Sequence, residues 1–139
     1  MFKRWLIPLA AGVLCVACRD VTRDQLVIGT IDAGGTLGDV IVSPTSGSVG
    51  EHLSFTVSTF GNSCVAAAGA QVVVRDLQAT VTPLDRESRT GNCLDYLKAY
   101  PRAVTVTFPR AGDATIRVEG RSFYQSGLVT VEQHVTIEP

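Results

Sequence analysis

Apolar side chains recur at every second position in several short segments, and this pattern constrains the fold more than any other feature. In residues 53–58, Leu, Phe and Val alternate with Ser and Thr, and in residues 114–119, Ala, Ile and Val alternate with Thr, Arg and Glu. A period of two turns one face of a β-strand toward a core and the other toward solvent. No segment shows a convincing amphipathic helix pattern. The sequence therefore predicts an all-β fold.

Seven strands are predicted between turns that are rich in Gly, Pro, Asn and Ser. They span residues 40–42, 52–60, 70–77, 78–84, 102–108, 114–121 and 128–137. The fourth is expected to end at Pro83, because proline cannot donate a ladder hydrogen bond. Seven short strands in a chain of 139 residues indicate one antiparallel β-sandwich domain.

The first 17 residues have the pattern of a signal peptide. Lys3 and Arg4 give a positive start, the run from Trp5 to Val16 is apolar, and Ala17 is a small residue at the cleavage position. The apolar run is shorter than the roughly 20 residues of a membrane-spanning helix. These features predict a signal peptide at residues 1–17 and an exported protein.

The segment Cys15-Val16-Ala17-Cys18 resembles a bacterial lipobox, with Cys15 where leucine is usual. The resemblance implies that Cys18 is lipidated and becomes the mature N-terminus. Arg19 follows in place of the Asp that marks inner-membrane retention, which implies the outer membrane or cell surface if the cell has an outer membrane. Cleavage after Ala17 with release of a secreted protein, and an uncleaved anchor, are the alternatives.

Residues 18–38 are expected to form a tether and residues 39–139 the folded domain. The tether contains one apolar run, Leu26–Ile31, that could pair as an edge strand. Its glycines at 34, 35 and 38 are not followed by the Gly-Lys-Ser/Thr ending of a phosphate-binding loop.

Cysteine parity predicts one disulfide. Cys15 would leave with the signal peptide and Cys18 would carry lipid, so Cys64 and Cys93 remain as a pair in an oxidising compartment. The spacing contains no Cys-x-x-Cys motif, so neither a zinc site nor a redox site is expected.

Two segments resemble bacterial immunoglobulin-like modules, and the resemblance covers about Asp39 to Pro139. They are the turn Pro44-Thr-Ser-Gly-Ser-Val-Gly50 and the stretch Phe108-Pro-Arg-Ala-Gly-Asp-Ala-Thr-Ile-Arg-Val118. The implied fold is a seven-stranded immunoglobulin-like antiparallel β-sandwich. In it, the loops after the second, fourth and sixth predicted strands share one end, which we call the apex. That topology would bring Cys64 and Cys93 together.

Four aromatic residues are predicted to project to the apex: Tyr96, Tyr100, Phe123 and Tyr124. Aromatic side chains on a rigid scaffold provide large contact areas at low entropic cost, which would suit a binding surface. The alternative is that they cover the disulfide and close the end of the sandwich.

Charge and motif content exclude several functions. Loss of Lys3 and Arg4 takes the formal net charge from −1 to −3, which argues against binding to nucleic acid. His52 and His134 are expected on polar strand faces, and no catalytic or metal-binding pattern includes them. We therefore expect no enzymatic activity, no metal and no cofactor.

The expected function is that of a cell-envelope lipoprotein, acting as a non-enzymatic binding, adhesion or structural module. Its expected partners are the membrane, through the lipid, and an envelope or extracellular protein or glycan. A structural role would require an exposed edge strand. The alternative function is an immunoglobulin-like protease inhibitor that uses the loops at the apex.

Overall fold

A computed structural model describes residues 24–89 and 91–139, and all of its regular structure is β. The predicted signal peptide and Cys18 lie outside these residues. The ten strands are β1 (Gln25–Ile28), β2 (Thr30–Ile31), β3 (Ile41–Val42), β4 (Ser46–Ser48), β5 (Leu53–Gly61), β6 (Val65–Arg75), β7 (Gln78–Glu87), β8 (Lys98–Val106), β9 (Gly112–Ser122) and β10 (Leu128–Glu138).

The strands form two sheets, which confirms the all-β prediction and is consistent with a β-sandwich. Strands β3, β5 and β8 make the smaller sheet, and the other seven make the larger one. Alternate residues of both sheets form one buried cluster, as the period-two pattern predicts. Its largest fully buried apolar side chains are Phe108, Ile31, Ile116, Val57, Val81, Val118 and Val135.

Pairing in the larger sheet departs from the purely antiparallel arrangement that was expected. Strands β9 and β10 are antiparallel, as are β6 and β7, but β7 runs parallel to β9. Strands β2 and β4 are also parallel to their partners, β9 and β10. The reason is the β6–β7 hairpin, which puts β7 rather than β6 beside β9. Residues 128–135 of β10 pair only with β9 among the described strands, which leaves the exposed edge that a structural role would require.

Strand β7 continues through Pro83 to Glu87 instead of ending at the proline. The register between β6 and β7 shifts between Ala67 and Ala70, and Pro83 pairs with Ala70 at that irregularity. A β-bulge is one of the few places where a strand tolerates a residue without an N–H. The bulge therefore allows β7 to be three residues longer than predicted.

Residues 25–31, expected within a tether, lie between β7 and β9, and we call this segment the wedge. Gln25 pairs with Glu87 and Ile28 with Leu84, and the chain then reverses so that Ile31 pairs with Ser122. Gly29 lies at the tip, where its N–H donates to the Pro83 carbonyl at 2.8 Å and its own carbonyl accepts from the Arg121 N–H at 2.9 Å. Both arms of the wedge therefore lead to the end of the molecule where β7 and β9 finish.

Only glycine fits at the tip of the wedge. A Cβ on Gly29 would lie 2.3 Å from Thr59 Cγ2, and a Cβ on Gly120 would lie 2.8 Å from the Gly29 carbonyl oxygen. Such distances are far inside van der Waals contact. The two glycines thus allow the wedge to enter between strands that diverge at this end.

Candidate binding surface at the apex

The loop residues 62–64, 88–89, 91–97 and 123–127 meet at one end of the described structure, which is the predicted apex. Cys64 and Cys93 form a disulfide there, with their Cα atoms 5.2 Å apart. The predicted pairing is therefore confirmed. The bridge joins the loop before β6 to the long loop before β8. Residues 91–97 contain no regular secondary structure that would hold them in place. The bridge ties this part of the long loop to the body of the domain.

Three of the four predicted aromatic side chains are exposed around this end. Tyr96 lies in the long loop, and Phe123 and Tyr124 lie between β9 and β10. The rings of Phe123 and Tyr124 meet edge to face, with centroids 5.1 Å apart. Tyr96 and Phe123 line the same cavity. The structure thus brings these side chains to a common surface.

Tyr100 has a different environment, because it lies in β8 and is partly buried. Its hydroxyl donates to the Asn62 carbonyl, and Lys98 Nζ lies 5.6 Å from the centre of its ring. Desolvation raises the pKa of Tyr100, and the nearby Tyr96 and Asp85 raise it further. These contacts connect β8 to the loop that holds Cys64.

Exposed leucines extend the aromatic surface. Leu94 and Leu97 lie in the long loop, Leu26 lies in β1, and Leu128 begins β10. With Tyr96, Phe123 and Tyr124 they make a set of seven side chains that are 40–63% exposed, which we call the apical patch. The four leucines were not predicted as surface residues. The signal available in the sequence was the presence of Leu94 and Leu97 in an otherwise polar connection.

A cavity of about 570 Å³ opens beside the apical patch. Its wall includes the disulfide, the aromatic rings of Phe60, Tyr96 and Phe123, and a mixed set of charged side chains. Arg121 Nη2 donates to Glu87 Oε1 at 2.6 Å, and both side chains remain more than a third exposed. The cavity can therefore present both apolar and charged groups to a partner.

A buried ionic cluster lies beneath the cavity and connects the two sheets. Arg102 Nη2 in β8 donates to Asp85 Oδ1 in β7 at 2.7 Å, and the Thr59 hydroxyl donates to the same oxygen at 2.9 Å. Arg102 also donates to the carbonyls of Leu84 and Gly69. Asp85 is buried, and its carboxylate is paired with Arg102. It therefore holds the two sheets together and is not free to bind a ligand.

The two histidines are both exposed; His52 lies directly before β5, and His134 lies in β10. His52 Nδ1 is 3.2 Å from the Thr107 hydroxyl, and His134 Nδ1 is 3.3 Å from the Thr115 hydroxyl. Within residues 24–89 and 91–139, no group of three His, Cys, Asp or Glu side chains could hold a metal ion. The same residues contain no helix long and apolar enough to cross a membrane.

Comparisons with protein-family models, with curated proteins and with solved structures found no match to this chain.

Proposed function

We propose that this chain is a lipid-anchored, non-enzymatic binding module of the bacterial cell envelope, and that the apex is its binding surface. The observation that carries the proposal is the apical patch, in which seven large apolar side chains are exposed, three of them on the long loop that the Cys64–Cys93 disulfide ties to the domain. Exposed apolar side chains gathered at one end of a domain are typical of interaction sites. A fixed loop loses less entropy when it binds.

The scaffold of the proposed module is an immunoglobulin-like sandwich. The pairing of β3 with β5 and β8 in one sheet, and of β9 with β10 in the other, supports this assignment, as does the meeting of the three loops at the apex. The parallel pairing of β7 with β9 is a variation on that arrangement.

Lipidation of Cys18 is tested by the intact mass of the mature protein from its native membrane. A mass that starts at Cys18 and includes acyl chains supports the anchor. A mass that starts at Cys18 without lipid contradicts the anchor and leaves a secreted binding protein.

Binding through the apex is tested in the Cys18→Ser protein, which cannot carry lipid, by comparing it with two double variants in the same background. Phe123→Ser/Leu94→Ser removes apolar surface from the apical patch, and Val42→Ser/Val49→Ser removes exposed apolar surface outside it, beside the middle of β5 and the end of β10. Retention on isolated envelope fractions should fall severalfold for the apical variant only. Equal retention of the Cys18→Ser protein and both double variants would exclude the apex as the binding surface.

Protease inhibition is the second candidate, and the long loop favours it. Residues 91–97 are exposed and without regular secondary structure, and Cys93 holds them to the body of the domain. An inhibitor must present such a fixed segment to an active-site cleft. Inhibition of any member of a protease panel at sub-micromolar concentration, lost on Leu94→Gly, would favour this function over the first.

A further inference from the structure

The types of exposed apolar side chain differ between the apex and the rest of the described surface. On the described surface, all of the exposed leucine, tyrosine and phenylalanine side chains belong to the apical patch. The exposed ones elsewhere are all valines, namely Val42, Val49, Val72 and Val73. Aromatic and long aliphatic side chains are those that interfacial membrane proteins insert between lipid headgroups. The composition of the patch therefore suits a lipid surface.

The position of the chain's N-terminal part brings this surface toward a membrane. Gln25 pairs with Glu87 at the apical end of β7, so the chain before residue 25 leaves the domain at the apex. Six residue steps separate Cys18 from Asp24. At full extension they span at most about 22 Å.

This length is short compared with the domain. Strands β9 and β10 have 11 residues each, and a strand of that length measures about 36 Å. A lipid on Cys18 could not lie in a bilayer that touches the opposite end, because the connection cannot reach from one end of the strands to the other. The apex is therefore the end held closest to the membrane.

Charge around the apical patch does not oppose this contact. Exposed Arg86, Arg89 and Lys98 lie near the patch, together with exposed Asp24 and Asp95. The near balance of charge means that attraction to anionic lipid contributes little. Apolar insertion would provide most of the binding energy.

We propose that the apical patch docks on the surface of the bilayer that holds the lipid anchor, so that the apex faces the membrane. This inference rests on the proposed anchoring at Cys18 and names the partner of the proposed binding surface. It also predicts that the end with the turns at residues 76–77 and 109–111 faces away from the membrane.

Tryptophan fluorescence can test the docking, because Trp5 is the only tryptophan and would be absent from the mature chain. Tyr124→Trp places a probe in the apical patch, and Val49→Trp is the matched control at the opposite end. Each lipidated protein is reconstituted in phosphatidylcholine vesicles, with and without brominated acyl chains. The probe at position 124 should lose fluorescence severalfold in brominated vesicles and shift to shorter wavelength, whereas the probe at position 49 should not change.

Flotation and quenching together distinguish a failed anchor from a failed docking. If neither variant floats with vesicles, the anchor and hence the proposed function fail. If both float but position 124 is not quenched, the docking proposal is overturned and the anchor stands. Leu97→Asp in the Tyr124→Trp protein should reduce quenching without loss of flotation, and an unchanged signal would also contradict docking.

Discussion

Arg102 occupies a core position that the alternation of β8 assigns to an apolar residue. It has the same parity as Val104, Val106 and Phe108, and its side chain is 6% exposed. Asp85 compensates the charge from the facing sheet. The sequence could not show this pairing, because the partners are 17 positions apart in the chain and nothing local connects them.

Arg102→Met should lower the free energy of unfolding by about 3–5 kcal/mol, because it leaves the Asp85 carboxylate buried without its cation. Arg102→Met/Asp85→Leu should recover most of this loss, since replacement of a whole buried pair is often neutral. Urea unfolding followed by circular dichroism measures both. A loss below about 1 kcal/mol for the single variant would contradict a stabilising role of the cluster.

Asp76 is a second residue whose charge has a specific partner, here on the surface. Arg110 donates to both carboxylate oxygens, Nε to Oδ1 at 2.5 Å and Nη2 to Oδ2 at 2.7 Å. The hydrogen bond from Arg110 lowers the pKa of Asp76 below its ordinary value. The contribution of this pair to stability is thus present above the ordinary pKa and is lost as the pH falls through the lowered one.

An NMR titration of the side-chain carboxyl carbons should show Asp76 ionising below the ordinary range for aspartate. Arg110→Gln should move its pKa upward, because the cation is removed. Lys98→Gln, which changes a distant cation at the apex, should leave it where it is. A midpoint that does not respond to Arg110→Gln would show that the ion pair is absent in solution.

At the scale of elements, alternation predicted the strands that have one buried face and missed strands that lack this pattern. Strand β5 was expected at residues 52–60 and is observed at Leu53–Gly61. Strand β6 begins at Val65, five residues earlier than expected, where the sequence is mainly alanine and both faces are largely exposed. Strand β4 contains Ser-Gly-Ser and pairs through its backbone alone, so composition gave no indication of it.

The connections between elements were harder to predict than the strands. The eighth strand begins at Lys98, four residues earlier than expected, and Lys98 and Ala99 pair with Gly61 and Phe60. The meeting of Tyr96, Phe123 and Tyr124 at one end was predictable from topology. The addition of Leu26 was not, because it depends on the reversal of the wedge at Gly29.

The Cys64–Cys93 bridge should stabilise the apex and the whole fold. It closes a sequence separation of 29 residues. The chain-entropy model assigns about 3–4 kcal/mol to a loop of this size. Cys64→Ala/Cys93→Ala should therefore lower the urea midpoint, and reducing agent should destabilise wild type but not the variant. An unreduced wild type that reacts with a thiol reagent at both positions would contradict the bridge.

At the scale of the whole molecule, the wedge closes a sheet that would otherwise be split at one end. Ile31 is fully buried in the common core, and the backbone of Gly29 connects β7 to β9. Residues 25–31 are therefore an integral part of the domain, although their composition is that of a short apolar run in a polar segment.

Ile31→Ala should cost about 2–5 kcal/mol, as expected for a truncated isoleucine in a packed core. Leu26→Ala, in the same wedge but more than half exposed, should change stability by no more than about 0.5 kcal/mol. Thermal or urea unfolding distinguishes the two. Equal effects would mean that the wedge is not packed between β7 and β9 in solution.

The wedge also sets the order in which the chain can reach its final state. Residues 25–31 are synthesised first, yet their partners lie at residues 83–87 and 121–123, so these contacts form only after most of the chain is present. The first arm can pair once residues 84–87 of β7 are present, and the second arm only once residues 121 and 122 of β9 have followed. The segment that completes the core at Ile31 is therefore among the last to reach its place, although it comes before every other described strand in the chain.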